Sequence, residues 1–68
     1  MKLKELRLKL NLSQQKFADL LGVNKMSIYY IEKGKRKMSV KVAVRAIEAA
    51  KSKNINLTLN NFYEELNR

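Results

Sequence analysis

Four cationic side chains surround one glycine in the segment 33–37, which reads Lys-Gly-Lys-Arg-Lys. Lysine and arginine carry positive charge and only donate hydrogen bonds, so together they favour the binding of anions such as phosphates. A run of charges is equally typical of a solvated loop. The chain contains no histidine and no cysteine, which excludes catalysis by either residue and zinc sites built from them.

The positive charge is concentrated in the N-terminal two thirds of the chain. The net charge is +9; residues 1–41 carry eleven Lys/Arg and three Asp/Glu, and residues 42–68 carry four and three. A charge of this sign and size favours an anionic partner, and a nucleic acid is favoured over a lipid surface. The near-neutral C-terminal third is free for another role.

Length and composition predict one small domain over residues 1–68. The 46% apolar content supports a core. No uncharged stretch approaches the ~20 apolar residues that span a membrane, and the N-terminus lacks the apolar region of a secretion signal. We expect a cytoplasmic protein with no cofactor, no metal and no small-molecule ligand.

Capping residues predict two short helices joined by a tight turn. Ser13 is a favoured N-cap, and the helix that it begins ends at Gly22. Asn24 is the next N-cap candidate, two residues later, and its helix ends near Gly34. Two helices separated by so short a glycine-containing turn match the helix-turn-helix pattern.

Three further helices are predicted around this pair. Leucine spacing indicates a first helix over residues 2–9. Ser39 is the N-cap of a fourth helix that extends to about Lys51, and Asn60 or Asn61 caps a last one. The expected fold is all-α, with five helices and no strands. The residues expected in the core are Phe17, Leu20, Leu21, Val44, Ile47 and Leu66.

The segment 14–33, QQKFADLLGVNKMSIYYIEK, resembles the lambdoid phage repressor and Cro-type helix-turn-helix family, also called XRE-like. The resemblance runs from about residue 2 to residue 50, and more loosely to Leu66. It implies a compact lambda-repressor-like DNA-binding domain of bacterial, phage, plasmid or mobile-element origin. In place of the family's proline after the glycine loop stands Met38, which predicts a less rigid loop. The matching residues are Leu6-Arg7, Leu12-Ser13-Gln14, Phe17-Ala18, Leu21-Gly22-Val23, Ser27-Ile28, Ile31-Glu32 and Gly34-Lys35.

The resemblance implies that the third helix enters the major groove of double-stranded DNA. Lysine can donate to guanine O6 and N7, methionine can contact a thymine methyl, and tyrosine can donate from its hydroxyl or pack on a methyl. Adjacent tyrosines can instead cover the core or an interface. The expected base-reading residues are Lys25, Met26, Tyr29 and Tyr30.

Phosphate contacts are expected on both sides of this helix. The free N–H groups at the start of the second helix favour a phosphate, and the cationic loop follows the third helix directly. The expected phosphate-binding residues are Ser13, Gln14, Ser27, Lys33, Lys35, Arg36 and Lys37.

Two further sets of residues have structural roles. Arg7 and Glu32 match a family pair that forms a partly buried salt bridge between the first and third helices; the alternative is two exposed charges. The C-terminal part, about 55–68, carries little charge and more apolar surface than one small domain needs. Some of its apolar residues must complete the core, and the residues expected at the dimer interface are Leu57, Leu59, Phe62 and Tyr63.

These observations favour a sequence-specific transcriptional regulator, most simply a repressor that binds an inverted repeat as a homodimer. The alternative is an antitoxin or partner-binding module, although antitoxins of the family generally carry an extra toxin-binding segment. An enzyme is disfavoured by the few acidic residues and the lack of a phosphate-cradling glycine loop. Membrane binding is disfavoured because the apolar stripes are needed for the core.

Overall fold

The computed structural model describes residues 1–68 and contains five α-helices and no strand. A 3₁₀ turn, Leu59–Phe62, leads directly into the last helix. The predicted all-α class and five-helix architecture are confirmed. None of the helices has the length and apolar character that crossing a membrane requires. The helices are α1 Leu3–Lys9, α2 Gln14–Leu21, α3 Lys25–Glu32, α4 Val40–Lys51 and α5 Tyr63–Leu66.

Side-chain caps start three of the helices at the predicted residues. The Ser13 hydroxyl accepts the N–H of the third residue of α2 at 3.1 Å. Asn24 Oδ1 accepts the corresponding N–H of α3 at 2.9 Å, and the Ser39 hydroxyl that of α4 at 3.2 Å. Each cap satisfies a backbone donor that the helix leaves open and typically stabilises by about 1 kcal/mol. The last helix is different, because Asn61 accepts the N–H of Thr58 at 2.8 Å instead of capping α5.

The turn between α2 and α3 depends on one glycine. Gly22 has φ 72°, a left-handed conformation that a side chain disfavours, and it ends α2. The Val23 N–H then returns to the Ala18 carbonyl at 3.0 Å. Ala18 is fully buried. The turn therefore fixes where α3 starts relative to α2.

The core contains thirteen buried apolar side chains, and two of the six residues predicted for it, Phe17 and Leu21, are among them. Ile47 and Leu66 are partly buried and pack against it, whereas the other two are exposed. Leu20 is 54% exposed and Val44 is 44% exposed. On α2 the inward face consists of Phe17, Ala18 and Leu21. At ~100° per residue, Leu20 lies about 110° around the helix from the middle of that face and therefore points towards solvent. Phe17 and Leu21 are fully buried, as predicted.

The inward face of α4 consists mainly of alanine. Val42 and three alanines, at 43, 46 and 50, are buried, and Ile47 packs beside them. The prediction for Ile47 is consistent with this packing, but the prediction for Val44 was wrong. At ~100° per residue, Val44 lies roughly 145° around α4 from the middle of the buried stripe.

Met38 anchors the loop that was expected to be less rigid. Its side chain is 1% exposed and its N–H donates to the Glu65 carbonyl at 2.7 Å. Proline has no N–H and could not make this bond. The family's proline is thus replaced here by a core side chain and a backbone hydrogen bond.

The C-terminal segment, residues 59–68, connects α1 and α3. Glu65 is 2% exposed, and its Oε1 accepts the Leu3 N–H at 2.6 Å. Arg68 Nη1 donates to the Ile31 carbonyl at 2.5 Å, and Nη2 lies 3.9 Å from Glu65 Oε2. Phe62 is 1% exposed and belongs to the core, so its predicted place in a dimer surface is wrong.

Burial raises the pKa of the Glu65 carboxyl, opposed by the Leu3 N–H and by the positive charges of Arg68, Lys2 and the N-terminus. A folded-state pKa above the unfolded value means that this group's contribution to stability falls as pH rises from about 4.5 through the raised pKa. The free energy of unfolding also depends on pH through the other carboxylates. The contribution of Glu65 is therefore isolated by comparing wild type with a variant that lacks this carboxylate.

We therefore expect the stability of wild type relative to Glu65→Gln to fall with rising pH across that window. The glutamine oxygen can still accept the Leu3 N–H. Urea unfolding at a series of pH values measures the difference, and Glu64→Gln, at the exposed neighbouring position, is the control for the loss of one carboxylate. A difference that grows with pH would show that the ionised Glu65 is the stabilised form.

Candidate nucleic-acid interface

One side of α3 is built into the core and the other faces solvent. Ile28 and Ile31 are buried, while Lys25 and Met26 are exposed at the first turn. This first turn is the end that the Asn24 cap holds in place. The side chains expected to read bases therefore project from a helix whose opposite face is fixed.

The two tyrosines stand together on the outer side of α3. Their ring centroids are 5.6 Å apart with an interplanar angle of 66°, an edge-to-face arrangement. Tyr29 is exposed and Tyr30 is half-buried. Lys33 Nζ lies 5.6 Å from the Tyr29 ring centre, and the Arg36 guanidinium carbon lies 5.6 Å from that of Tyr30. Neither ring is a buried core residue, and each has a cation beside it.

Arg7 and Glu32 form an ion pair between α1 and α3. Arg7 Nε lies 2.7 Å from Glu32 Oε2, and the two side chains are 12% and 6% exposed. A second guanidinium nitrogen donates to Glu32 Oε1 at 3.2 Å, and a third bond reaches the Leu12 carbonyl at 3.0 Å. Two exposed charges, the alternative interpretation, are not what the structure has. The pair fixes the C-terminal end of α3 against α1.

Gln14 is tied to the same carboxylate. Its Nε2 donates to Glu32 Oε1 at 3.0 Å, which engages one of its two N–H groups. The second N–H remains for a phosphate. Ser13 uses its hydroxyl oxygen in the α2 cap. The start of α2 is therefore held in place next to α3, and its phosphate contacts stay a prediction.

The four cationic residues of the loop 33–37 differ in their side-chain hydrogen bonds. Lys33, Lys35, Arg36 and Lys37 are all exposed, but only Arg36 hydrogen-bonds through its side chain, to Ser27 Oγ at 3.0 Å. Ser27 Oγ in turn donates to Asn24 Oδ1 at 3.1 Å. The Ser27 hydroxyl hydrogen is thus engaged in the protein and is not free for a phosphate in this arrangement.

A shallow groove between α1 and α3 is lined by a lysine, Lys4, that was not among the DNA-binding residues predicted from the sequence. Lys4 lines this groove together with Gln14, Tyr29 and Lys33. Lys4 precedes Arg7 by three residues and so shares its side of α1, a spacing that could have indicated it. Besides the Arg7–Glu32 ion pair, which also lines it, the groove places two lysines and an amide on the α1 side of the outer face of α3.

The residues expected at a dimer interface separate into exposed and buried ones. Leu59 and Tyr63 are 42% and 63% exposed, respectively. Leu57 is half-buried against the core, and Phe62 lies within it. Two of the four side chains are therefore on the surface of the monomer.

Comparison with known proteins assigns this architecture to a family. A family model described as Helix-turn-helix matches residues 3–53, 51 of the 68 residues. No curated protein and no solved structure shows significant similarity to the chain. The match includes α1 to α4, and hence the turn, the ion pair and the cationic loop described above. The chain belongs to the XRE-type helix-turn-helix family of DNA-binding regulators.

Proposed function

We propose that the protein is a sequence-specific transcriptional repressor that binds an inverted-repeat operator as a homodimer. The observation that carries the proposal is the exposed outer side of α3, with Lys25 and Met26 at its capped first turn and cations on both flanks. An α-helix fits the major groove of B-DNA, where base edges differ between all four base pairs. Placing α3 there brings its first turn to those edges.

The flanking charges support this placement. Lys4 and Lys33 border the groove on the α1 side of α3. Lys35 and Lys37 are exposed in the loop that follows. Cations on both sides of an inserted helix meet the phosphates that border the DNA groove, and these contacts set register without reading sequence.

Dimerisation is proposed through the exposed apolar residues of the C-terminal segment, Leu59 and Tyr63. A two-fold dimer that presents two α3 helices requires half-sites about one helical turn, ~34 Å, apart. Repression then follows when the dimer occupies a promoter and blocks polymerase.

Selection of bound DNA from a random library tests the whole proposal. We expect an enriched inverted repeat with half-site centres ~10 base pairs apart. An enriched site without two-fold symmetry would retain sequence-specific binding and reject the homodimer. No enrichment, together with a stable protein partner that co-purifies, would instead favour the antitoxin or partner-binding alternative.

Salt dependence should reveal how many phosphates the protein contacts. With ~4 phosphates per protomer, the slope of log K against log salt for the dimer should be near −7, because each contact contributes about −0.9. Lys35→Ala should reduce the magnitude of the slope by about 2 for the dimer. Lys53→Ala, an exposed lysine after α4, is the matched control and should leave it unchanged. Equal effects of the two variants would argue against a localised phosphate contact in the loop.

A further inference from the structure

We propose that Arg36 reads a guanine in the major groove, whereas the neighbouring loop lysines contact phosphates. This inference rests on the proposed binding of DNA through α3. It divides the cationic loop into one specificity-determining residue and several charge contacts. Three features of the Arg36 side chain distinguish it from its neighbours: its position, its support and its free donors.

Arg36 is exposed, but its side chain lies along α3 instead of extending away from the protein. Its guanidinium carbon lies 5.6 Å from the Tyr30 ring centre, and Nη1 donates to Ser27 Oγ at 3.0 Å. Ser27 is the third residue of α3, so a side chain nine residues further along the chain returns to the first turn of that helix. This is the end of α3 nearest to the base edges in the proposed complex.

The support for Arg36 is a chain of hydrogen bonds that ends in a helix cap. Ser27 Oγ donates to Asn24 Oδ1, which also accepts the Ser27 N–H at 2.9 Å as the cap of α3. A planar guanidinium held by a serine and a tyrosine ring loses less conformational freedom on binding than a free side chain. The arrangement therefore prepares Arg36 for a contact of defined geometry.

The free donors of Arg36 match one base. Of its five N–H groups, the structure engages one, and no carboxylate pairs with it, since the ion pairs are Arg7–Glu32 and Arg68–Glu65. The remaining fork can donate to two acceptors at once. Guanine offers such a pair, O6 and N7, on its major-groove edge, and the planar guanidinium matches two such acceptors with a rigid fork. The Lys35 and Lys37 side chains have no comparable support and no fork.

The test compares binding to operators that differ at single base pairs, using Arg36→Lys and Lys37→Ala. Arg36→Lys keeps the charge but replaces the rigid fork with a flexible ammonium group, which can still reach guanine but without a fixed geometry. We expect it to lower the preference for guanine at one position of each half-site by about 5- to 150-fold, with an unchanged salt slope. Lys37→Ala should weaken binding to all operators equally and make the slope shallower.

Two further variants test the support of Arg36. Ser27→Ala and Tyr30→Leu should reduce the guanine preference at the same position of the half-site as Arg36→Lys does, and circular dichroism checks that each remains folded. A base profile that Arg36→Lys leaves unchanged would overturn the assignment to Arg36 while the proposed function stands. A wild-type protein with no base preference at any position would reject both.

Discussion

Arg7→Met is expected to lower the free energy of unfolding by about 3–5 kcal/mol, because it leaves the Glu32 carboxylate nearly buried without a cation. A domain of 68 residues typically has about 3–10 kcal/mol in total. The single change therefore removes a large part of the stability, and DNA binding should be lost with it. Urea unfolding monitored by circular dichroism measures the effect.

A double variant separates the cost of an orphaned charge from the value of the pair. Arg7→Met with Glu32→Leu removes both charges, and we expect it to be more stable than Arg7→Met alone. Lys9→Met, on the same helix but exposed, is the control and should change stability by less than ~0.5 kcal/mol. If Arg7→Met costs no more than Lys9→Met, the ion pair does not hold α1 against α3.

Phe62→Ala and Tyr63→Ala should affect different properties although the residues are adjacent: the first should lower stability and the second should weaken self-association. Phe62 is almost completely buried, and its truncation should cost about 3–5 kcal/mol through lost burial and the cavity left behind. Tyr63 is 63% exposed, so the monomer should tolerate its loss with little change in stability. Instead, Tyr63→Ala should weaken self-association.

Thermal unfolding and sedimentation equilibrium measure the two properties separately. Wild type should dimerise, and Tyr63→Ala should dimerise more weakly at an unchanged melting temperature extrapolated to low protein concentration. Unchanged association of Tyr63→Ala would exclude this residue from the interface. A small stability loss in Phe62→Ala would contradict its place in the core.

Local signals in the sequence predicted the framework of the fold. Ser13, Asn24 and Ser39 predicted where three helices start, and Gly22 predicted the turn between α2 and α3. A cap depends on residues within one helical turn, and the left-handed φ at Gly22 depends on one residue. Such features need no knowledge of distant parts of the chain.

Local signals did not predict which side of each helix faces the core. A helical period shows that one side of α4 is buried, but its alanines gave no indication that they form that side in place of Val44. Phe62 was assigned to a surface because apolar residues are numerous near it. Hydrophobicity alone does not say whether such a residue lies in the core or on an interface.

Long-range contacts were also outside what the sequence could predict. The burial of Glu65 depends on Leu3, 62 residues away, and the position of Arg36 depends on Ser27 in a different element. Glu65 and Arg36 are both charged, and a charged residue in a local sequence pattern is normally predicted to be exposed and unpartnered. Only the three-dimensional structure shows that Arg36, unlike the loop lysines, makes a side-chain hydrogen bond to α3.

The bonds from the C-terminal segment to α1 and α3 have a consequence for the order of folding. Glu65 closes on Leu3, and Arg68 on the end of α3 at Ile31, a separation of 37 residues. Closing loops of this length carries an entropic cost that local helix formation does not, so these contacts should form late. During synthesis, residues 1–58 can form the helices of the DNA-reading unit but cannot complete their support. We therefore expect nascent chains to acquire full affinity for DNA only after residues 59–68 have emerged from the ribosome.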